Sequence, residues 1–354
     1  MKKQILFLSL FLSSLSAFAL PKLLERQSFN VYEIKNLNID LSWENIDVQK
    51  CDEDDNILVE IFCNNKKYAP SLNATDNTIY VKTNKQNNAP LQNKKCTVII
   101  HLPASAEFDQ VKLSTTSGEI HTQMHIITNK LYCSSTSGDQ SITVEAFADE
   151  ASFKATSGEI YVEAVYGQTL IAQATSGSVF VREFESQANF TASTASISTT
   201  SGSIKLTQAK VSKAKLKSTS GSITLEGLVS QAFDISSTSG SIGMELEAAP
   251  SDNSRISATS GSIFMGVPGD ADFGLWVETT SGSFTNALVR QRIGSHVDYQ
   301  GQINKGGATI KINTTSGNVS IDSNNGSSTN ISNKKSSSDS DSELPVVSFD
   351  DPIF

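Results

Sequence analysis

Basic charge, aromatic rings, histidine and long apolar runs are all scarce in this chain. Lysine and arginine number 28 against 37 acidic residues, for a net charge of -9, and the balance falls to -11 once Lys2 and Lys3 are set aside with the leader described below. That excess argues against an electrostatic grip on nucleic acid or on an anionic lipid surface. Aromatics make up only 7% of the 354 residues while Gly and Ser are plentiful, which suits a structure stacked from small residues rather than a large spherical core. Past the leader no stretch approaches the roughly 18 apolar residues that a membrane span needs, so no transmembrane segment is expected. The histidines are His101, His121, His125 and His296. His121 and His125 would share a helix face, but they follow Ile120 in a strand-rich context, so no metal pair is expected. The cysteine spacings match no zinc pattern, and no phosphate-cradling Gly loop or isolated carboxylate pair stands out. The acidic run Asp52-Glu53-Asp54-Asp55 lacks the spaced ligands and Gly of a calcium loop and reads as a solvated turn. No catalytic residue, cofactor or metal is therefore expected.

What is present begins with a secretory pattern. Lys2 and Lys3 precede an apolar run from Ile5 to Leu15 and the small-residue pattern Ala17-Phe18-Ala19, which predicts a signal peptide over 1–19 cut after Ala19. No cysteine follows closely enough for lipid attachment. The mature protein is expected outside the cytoplasm, whether periplasmic, at the cell surface or secreted. That setting permits a disulfide. Cys63 is in phase with Ile57, Val59 and Ile61, and Cys96 with Val98 and Ile100, so both point to the same kind of buried face. A Cys63–Cys96 bond is the favoured reading, two buried thiols the other; Cys51 and Cys133 are left unpaired.

The dominant signal is a tripeptide. Thr-Ser-Gly recurs with its glycine at 118, 138, 158, 177, 202, 221, 240, 261, 282 and 317, in steps of 20, 20, 19, 25, 19, 19, 21, 21 and 35 residues. A period near 20 predicts a solenoid, in which one long domain grows along a single axis. Five residues before each Gly stands an apolar or small residue, from Leu113 through Leu216 to Ile312. Two residues after it stand Ile120, Ile160, Ile223 and their equivalents, with Gln140 the exception. Four after it, Thr122 and Asn286 break an otherwise apolar column. The inward positions are odd before the Gly and even after it, so a corner must lie at the Gly to keep both halves on one core. Its tolerance of positive φ is the expected reason for glycine there. Three residues before the Gly stand only Thr, Ser or Ala, whose hydroxyls are expected to bond to one another or to the corner backbone. A Ser in every coil is a poor signal for a nucleophile, which is needed once and with its own base.

The expected fold is all-β: a parallel β-solenoid, β-helix-like, of about ten coils over 106–322, with an N-terminal β cap over 20–105 and a disordered Ser/Asn-rich tail over 323–354. Strands are expected at Val31–Leu41, Ile46–Gln49, Ile57–Phe62, Thr78–Lys82 and Thr97–Leu102, as a cap without repeats that shields the open end. Two steps are long. The 25-residue step contains Glu183 to Phe190, a modest excursion. The 35-residue step contains Arg290, Arg292, His296, Asp298 and Tyr299, one local cluster of mixed polar chemistry and the candidate ligand-binding loop; the plainer reading is an extra hairpin with solvated charges. The apolar end Leu344 to Phe354 reads as unstructured, its prolines arguing against an added strand.

These residues resemble the DUF4097 family of adhesin candidates with β-strand repeats. The likeness is carried by Leu37-Asn38-Ile39-Asp40 and Ile46-Asp47-Val48, by Val98-Ile99-Ile100-His101-Leu102-Pro103, by the hand-over Val111 to Ile120 and by the recurring Ser-Gly-Ser-Ile, and it spans about Phe29 to Asp322. The resemblance implies a parallel β-solenoid in the bacterial envelope and an adhesin-like or scaffolding role, and it transfers no catalytic residue. Gln140 and the two long steps depart from the pattern. The expected function is an exported, non-enzymatic adhesin or envelope scaffold whose partner is a surface glycan or envelope protein. The alternatives are a glycan-binding module using the Arg290–Tyr299 loop, or a polysaccharide-active enzyme on a β-helix, which needs clustered acids and bases in a groove.

Overall fold

The computed structural model describes residues 20–52, 55–84, 95–186 and 192–324. The expected signal peptide, the tail from Asn325, the centre of the acidic run and Gln187 to Phe190 of the first long step lie outside the described residues. The chain divides into residues 1–324 and 325–354, and the described structure belongs to the first unit. No described helix is long and apolar enough to cross a membrane.

The fold is all-β, with one three-residue 3-10 turn at Lys66–Tyr68 among the described residues. Alternation with a period of two sets the strands, and pairing sets their order. The strands that precede the corner form one parallel ladder: Glu107–Thr115 pairs with Ile126–Ser135, which pairs in turn with the second half of Gln140–Ala155. The strands that follow the corner form the other, as in the stack of Ile160–Tyr166, Val179–Glu185 and Ile204–Ser218. The expected inward columns are buried, including Leu113, Phe153, Leu216, Ile223 and Ile312 at 0% exposure. Gln140 is buried as well: its Nε2 donates to Ser135 Oγ at 3.0 Å and to the Lys154 carbonyl at 2.6 Å, while its Oε1 has no partner among the described residues.

Ten equal coils do not emerge. Gln140–Ala155 and Ile204–Ser218 run through both ladders without a break, so they close a ring of six parallel strands with Ile160–Tyr166, Val179–Glu185, Thr194–Thr199 and Thr169–Ala174. Further strands extend that ring on either side. At the C-terminal end the order also changes. Thr309–Thr314 lies between Ser254–Ala258 and Phe273–Thr279, so the chain lays down its outer strands first and threads back inside them.

The corner glycines form one column, and its geometry corrects the expected reason for glycine. None of the Thr-Ser-Gly glycines has positive φ; among the described glycines only Gly227 and Gly306 do. Instead, a Cβ on Gly138 would strike the carbonyl oxygen of Gly118, one on Gly221 that of Gly202, one on Gly317 that of Gly261 and one on Gly282 that of Gly317, all inside 3.0 Å. Close backbone approach is what demands glycine here. The hydroxyl three residues earlier locks the same corner. Ser218 Oγ accepts from Gly221 N at 2.9 Å and donates to the Gly202 carbonyl at 3.4 Å; Thr199 and Ser237 repeat the arrangement.

The N-terminal segment carries a corner of its own, which the sequence does not announce. Asn36–Asp40 and Asn45–Lys50 lie parallel beneath Glu107–Thr115 and Ile120–Thr122, and Glu44 occupies the glycine's place. Its carbonyl accepts from Thr115 Oγ1 at 3.2 Å, as a corner glycine's would. Its buried carboxylate turns back on the corner, where Oε2 accepts from the backbone N–H groups of Ser42 and Trp43, each at 3.0 Å, and from Thr83 Oγ1 at 2.6 Å. The expected strand from Val31 begins only at Asn36, and an unexpected one, Lys22–Asn30, pairs antiparallel with Asn56–Cys63. Cys63 faces Cys96 across the antiparallel pair Asn56–Cys63 and Cys96–Leu102 at a Cα separation of 4.1 Å, and the two are joined by a disulfide. Cys51 and Cys133 are buried thiols, and burial pushes Cys133 up to about 12, so it stays protonated and unreactive at neutral pH.

Candidate binding groove at the C-terminal end

The longest step in the repeat builds two antiparallel edges. After Phe284–Asn286 the chain turns at Arg290 (φ 52°) and returns as Gln291–Ile293 on the same strand. It turns again at His296 (φ 59°), and Val297–Ile303 pairs antiparallel with Phe273–Thr279. A last left-handed pair, Asn304 and Gly306, sends it into the inserted strand Thr309–Thr314. Non-glycine residues with positive φ are uncommon, and three of the four described here fall in this one excursion.

This path separates the five predicted loop residues. Arg290 sits in the first turn and Arg292 opposite Thr285, both on the ladder that follows the corner. Tyr299 turns inward and packs its ring against Phe284 at a centroid distance of 5.0 Å, so it serves the core rather than a surface site. His296 and Asp298 lie on the other ladder, where they line an open groove of about 650 Å³.

The remaining walls come from other coils. Register places Ser236, Ser257, Asn313, Glu278 and Asp298 in one cross-strand row. The row beside it holds Asp234, Arg255, Lys311, Trp276 and Gln300. Lys311 Nζ sits 3.4 Å from the centroid of the Trp276 ring and 3.2 Å from Glu278 Oε2, so cation–π and ionic contacts hold it together. The Asn313 amide, oriented with its nitrogen toward Glu278, donates to Oε2 at 3.1 Å. Glu278 is thereby committed, whereas Arg255 and Asp298 are exposed and make no side-chain bond within the described residues. The groove thus presents a guanidinium, a free carboxylate, an imidazole and the hydroxyls of Ser257 and Thr259. Such a set suits a ligand rich in hydroxyl groups, with Arg255 donating and Asp298 accepting. Arg255, Glu278 and Asn313 lie outside the loop that the sequence singles out. Their signal is positional, since they stand six or four residues before a corner glycine, where outward side chains stack.

A family model described as Toastrack DUF4097 matches residues 34–193 and again 168–322. No curated protein sequence matches the chain. Among solved structures, an adhesin candidate from Parabacteroides distasonis ATCC 8503 is 11% identical with a TM-score of 0.44, over 85% of this chain and 97% of that one. A second, from Parabacteroides merdae ATCC 43184, is 11% identical with a TM-score of 0.43, over 84% and 95%. A lipid-binding candidate from Parabacteroides distasonis ATCC 8503 is 12% identical with a TM-score of 0.37, over 84% and 96%.

Proposed function

This chain belongs to the DUF4097 (Toastrack) family, and on that premise we propose that it is an exported, non-enzymatic binding protein, an adhesin-like or scaffolding solenoid of the cell envelope. The observation that carries the reading is the groove at the C-terminal end, where an interruption of the repeat brings His296 and Asp298 to Arg255 on a rigid sheet. Loops and interruptions on a rigid scaffold are where recognition concentrates. The ligand proposed is a surface glycan, held by Arg255 and Asp298 through its hydroxyls. The repeated strands behind the groove hold it on a stiff support, because their corners are locked by backbone contacts.

Two measurements test this. On a glycan array scored by the intact protein, Asp298→Ala and Arg255→Ala are each expected to abolish the signal of the same subset of glycans while leaving the melting temperature unchanged; an unchanged array pattern in both would sink the groove assignment. Protease accessibility on intact cells separates a surface adhesin from a periplasmic scaffold, and a purely cytoplasmic pool contradicts both. Turnover of any glycan in a degradation screen would replace the binding reading by an enzymatic one.

A further inference from the structure

A second recessed strip runs along a different edge of the molecule, far from the C-terminal groove in sequence. Two adjoining cavities of about 280 and 200 Å³ share Thr128 and together cross successive strands from Glu107 to Gln168. Its floor is the buried column Phe108, Thr128, Ala148 and Gly167, where the chain bends. The bend is built in: Thr128 Oγ1 accepts from Lys130 N at 3.3 Å and donates to the Lys130 carbonyl at 3.2 Å, and neither neighbouring strand pairs with Asn129. Gly167 has no room for a Cβ against the Ala148 carbonyl, so the floor stays low at that point.

The two walls differ in chemistry. On one side Ile127, Phe147 and Tyr166 follow one another in register, all half-buried, with the Phe147 and Tyr166 rings stacked at 5.3 Å and 24°. The Tyr166 hydroxyl is anchored on Glu183 Oε1 at 3.2 Å, and burial with that carboxylate raises its pKa, so the ring stays neutral. On the other side Asp109, Asn129, Asp149 and Gln168 are all exposed, and none makes a side-chain hydrogen bond within the described residues. From Ile127 to Tyr166 an apolar, partly aromatic wall thus faces a row of carboxylates and amides, and the pair repeats on three successive strands at about 4.8 Å; at the near end Glu107 takes the apolar position and Lys35 joins the lining.

We propose that this strip binds a linear, uncharged polysaccharide laid along the strand-stacking direction. A pyranose ring has an apolar face that packs on an aromatic ring and an equatorial belt of hydroxyls that carboxylates and amides bind with two hydrogen bonds each. One sugar of an extended β-linked chain is close in length to one strand spacing, so successive sugars meet successive copies of the same wall pair. An extended peptide does not keep this step, because its side chains alternate faces every residue. Glu107, Asp109 and Asp149 outnumber the one cation in the lining, Lys35, and so disfavour an anionic chain.

The site is separate from the C-terminal groove and stands or falls without it. The test uses isothermal titration of the full chain with cellohexaose and chitohexaose, with cellobiose as the short probe and oligogalacturonate as the anionic one. The expected result is binding of at least one neutral hexamer, markedly weaker binding of the disaccharide and none of the anionic chain. Phe147→Ala and Asp149→Ala are each expected to weaken it about tenfold or more. Failure of the intact protein to bind either hexamer, or equal affinity in the Phe147→Ala and Asp149→Ala variants, overturns the proposal. A conservative Phe147→Tyr substitution retains affinity if stacking is the cause, and a loss like that of Phe147→Ala counts against it.

Discussion

Between Gly118 and Gly261 the chain advances one corner per repeat, and each strand has parallel neighbours on both sides. At the two ends the pairing turns antiparallel. Ser71–Thr75 on Thr78–Lys82, and Lys22–Asn30 on Asn56–Cys63, close the N-terminal side, while Val297–Ile303 and Gln291–Ile293 close the C-terminal side. A parallel stack can always accept another strand, whereas edges that are short, as Ser71–Thr75 and Gln291–Ile293 are, or that carry charge, as Lys22–Asn30 and Val297–Ile303 do, are poorer templates for one. The middle therefore spends its sequence on repetition, and the ends spend theirs on stopping it. The C-terminal groove draws on both regions: His296 and Asp298 come from the interruption and Arg255 from a regular strand.

Substitutions that act on one region and spare the other sharpen this comparison. The largest effect is expected from Ile223→Asp, which places a carboxylate at a fully buried position in the middle stack; the loss is several kcal/mol and the ordered β signal collapses in circular dichroism. Next comes the N-terminal closure. Cys63→Ser removes the disulfide and is expected to cost about 2 to 4 kcal/mol in urea unfolding, with binding at Asp298 and Arg255 unaffected. Ser218→Ala deletes one corner hydroxyl and is expected to cost about 1 kcal/mol, since Ala155, Ala174 and Ala258 already stand at equivalent corners without one. The smallest effect is expected at Asp47, whose pKa burial raises, with His121 lowering it and Glu119 raising it. A raised carboxylate contributes stability that is present below its unfolded pKa and lost as pH rises through the folded one. Asp47→Asn should therefore raise the melting temperature slightly at pH 7 and leave it unchanged near pH 3.

Much of this architecture is legible in the sequence because the repeat writes the same instruction many times. The inward columns around Leu113 and Ile223, the corner at each Gly and the phase of Cys63 with Cys96 all follow from a period of two interrupted by a parity change. Three features do not follow. The reason for glycine is a contact between coils, visible only when Gly221 is seen against the Gly202 carbonyl. The corner at Glu44 is hidden because a carboxylate performs there what a glycine and a lower coil perform elsewhere. The reversed order of the last two corners is a pairing choice, and the motif around Gly282 reads like the motif around Gly317. The C-terminal groove was half legible: His296 and Asp298 announce themselves as departures from the repeat, whereas Arg255 comes from a regular coil and joins them only through register.

The column of glycines is the central claim about how the molecule is built, and a pair of alanine substitutions tests it most directly. Gly221→Ala puts a methyl group against the Gly202 carbonyl, whereas Gly294→Ala, in the C-terminal excursion, meets nothing within 4 Å. Equilibrium urea unfolding of both should show Gly221→Ala losing about 3 kcal/mol or more and Gly294→Ala within about 0.5 kcal/mol of the unsubstituted chain. Equal stability of the two variants would contradict the account.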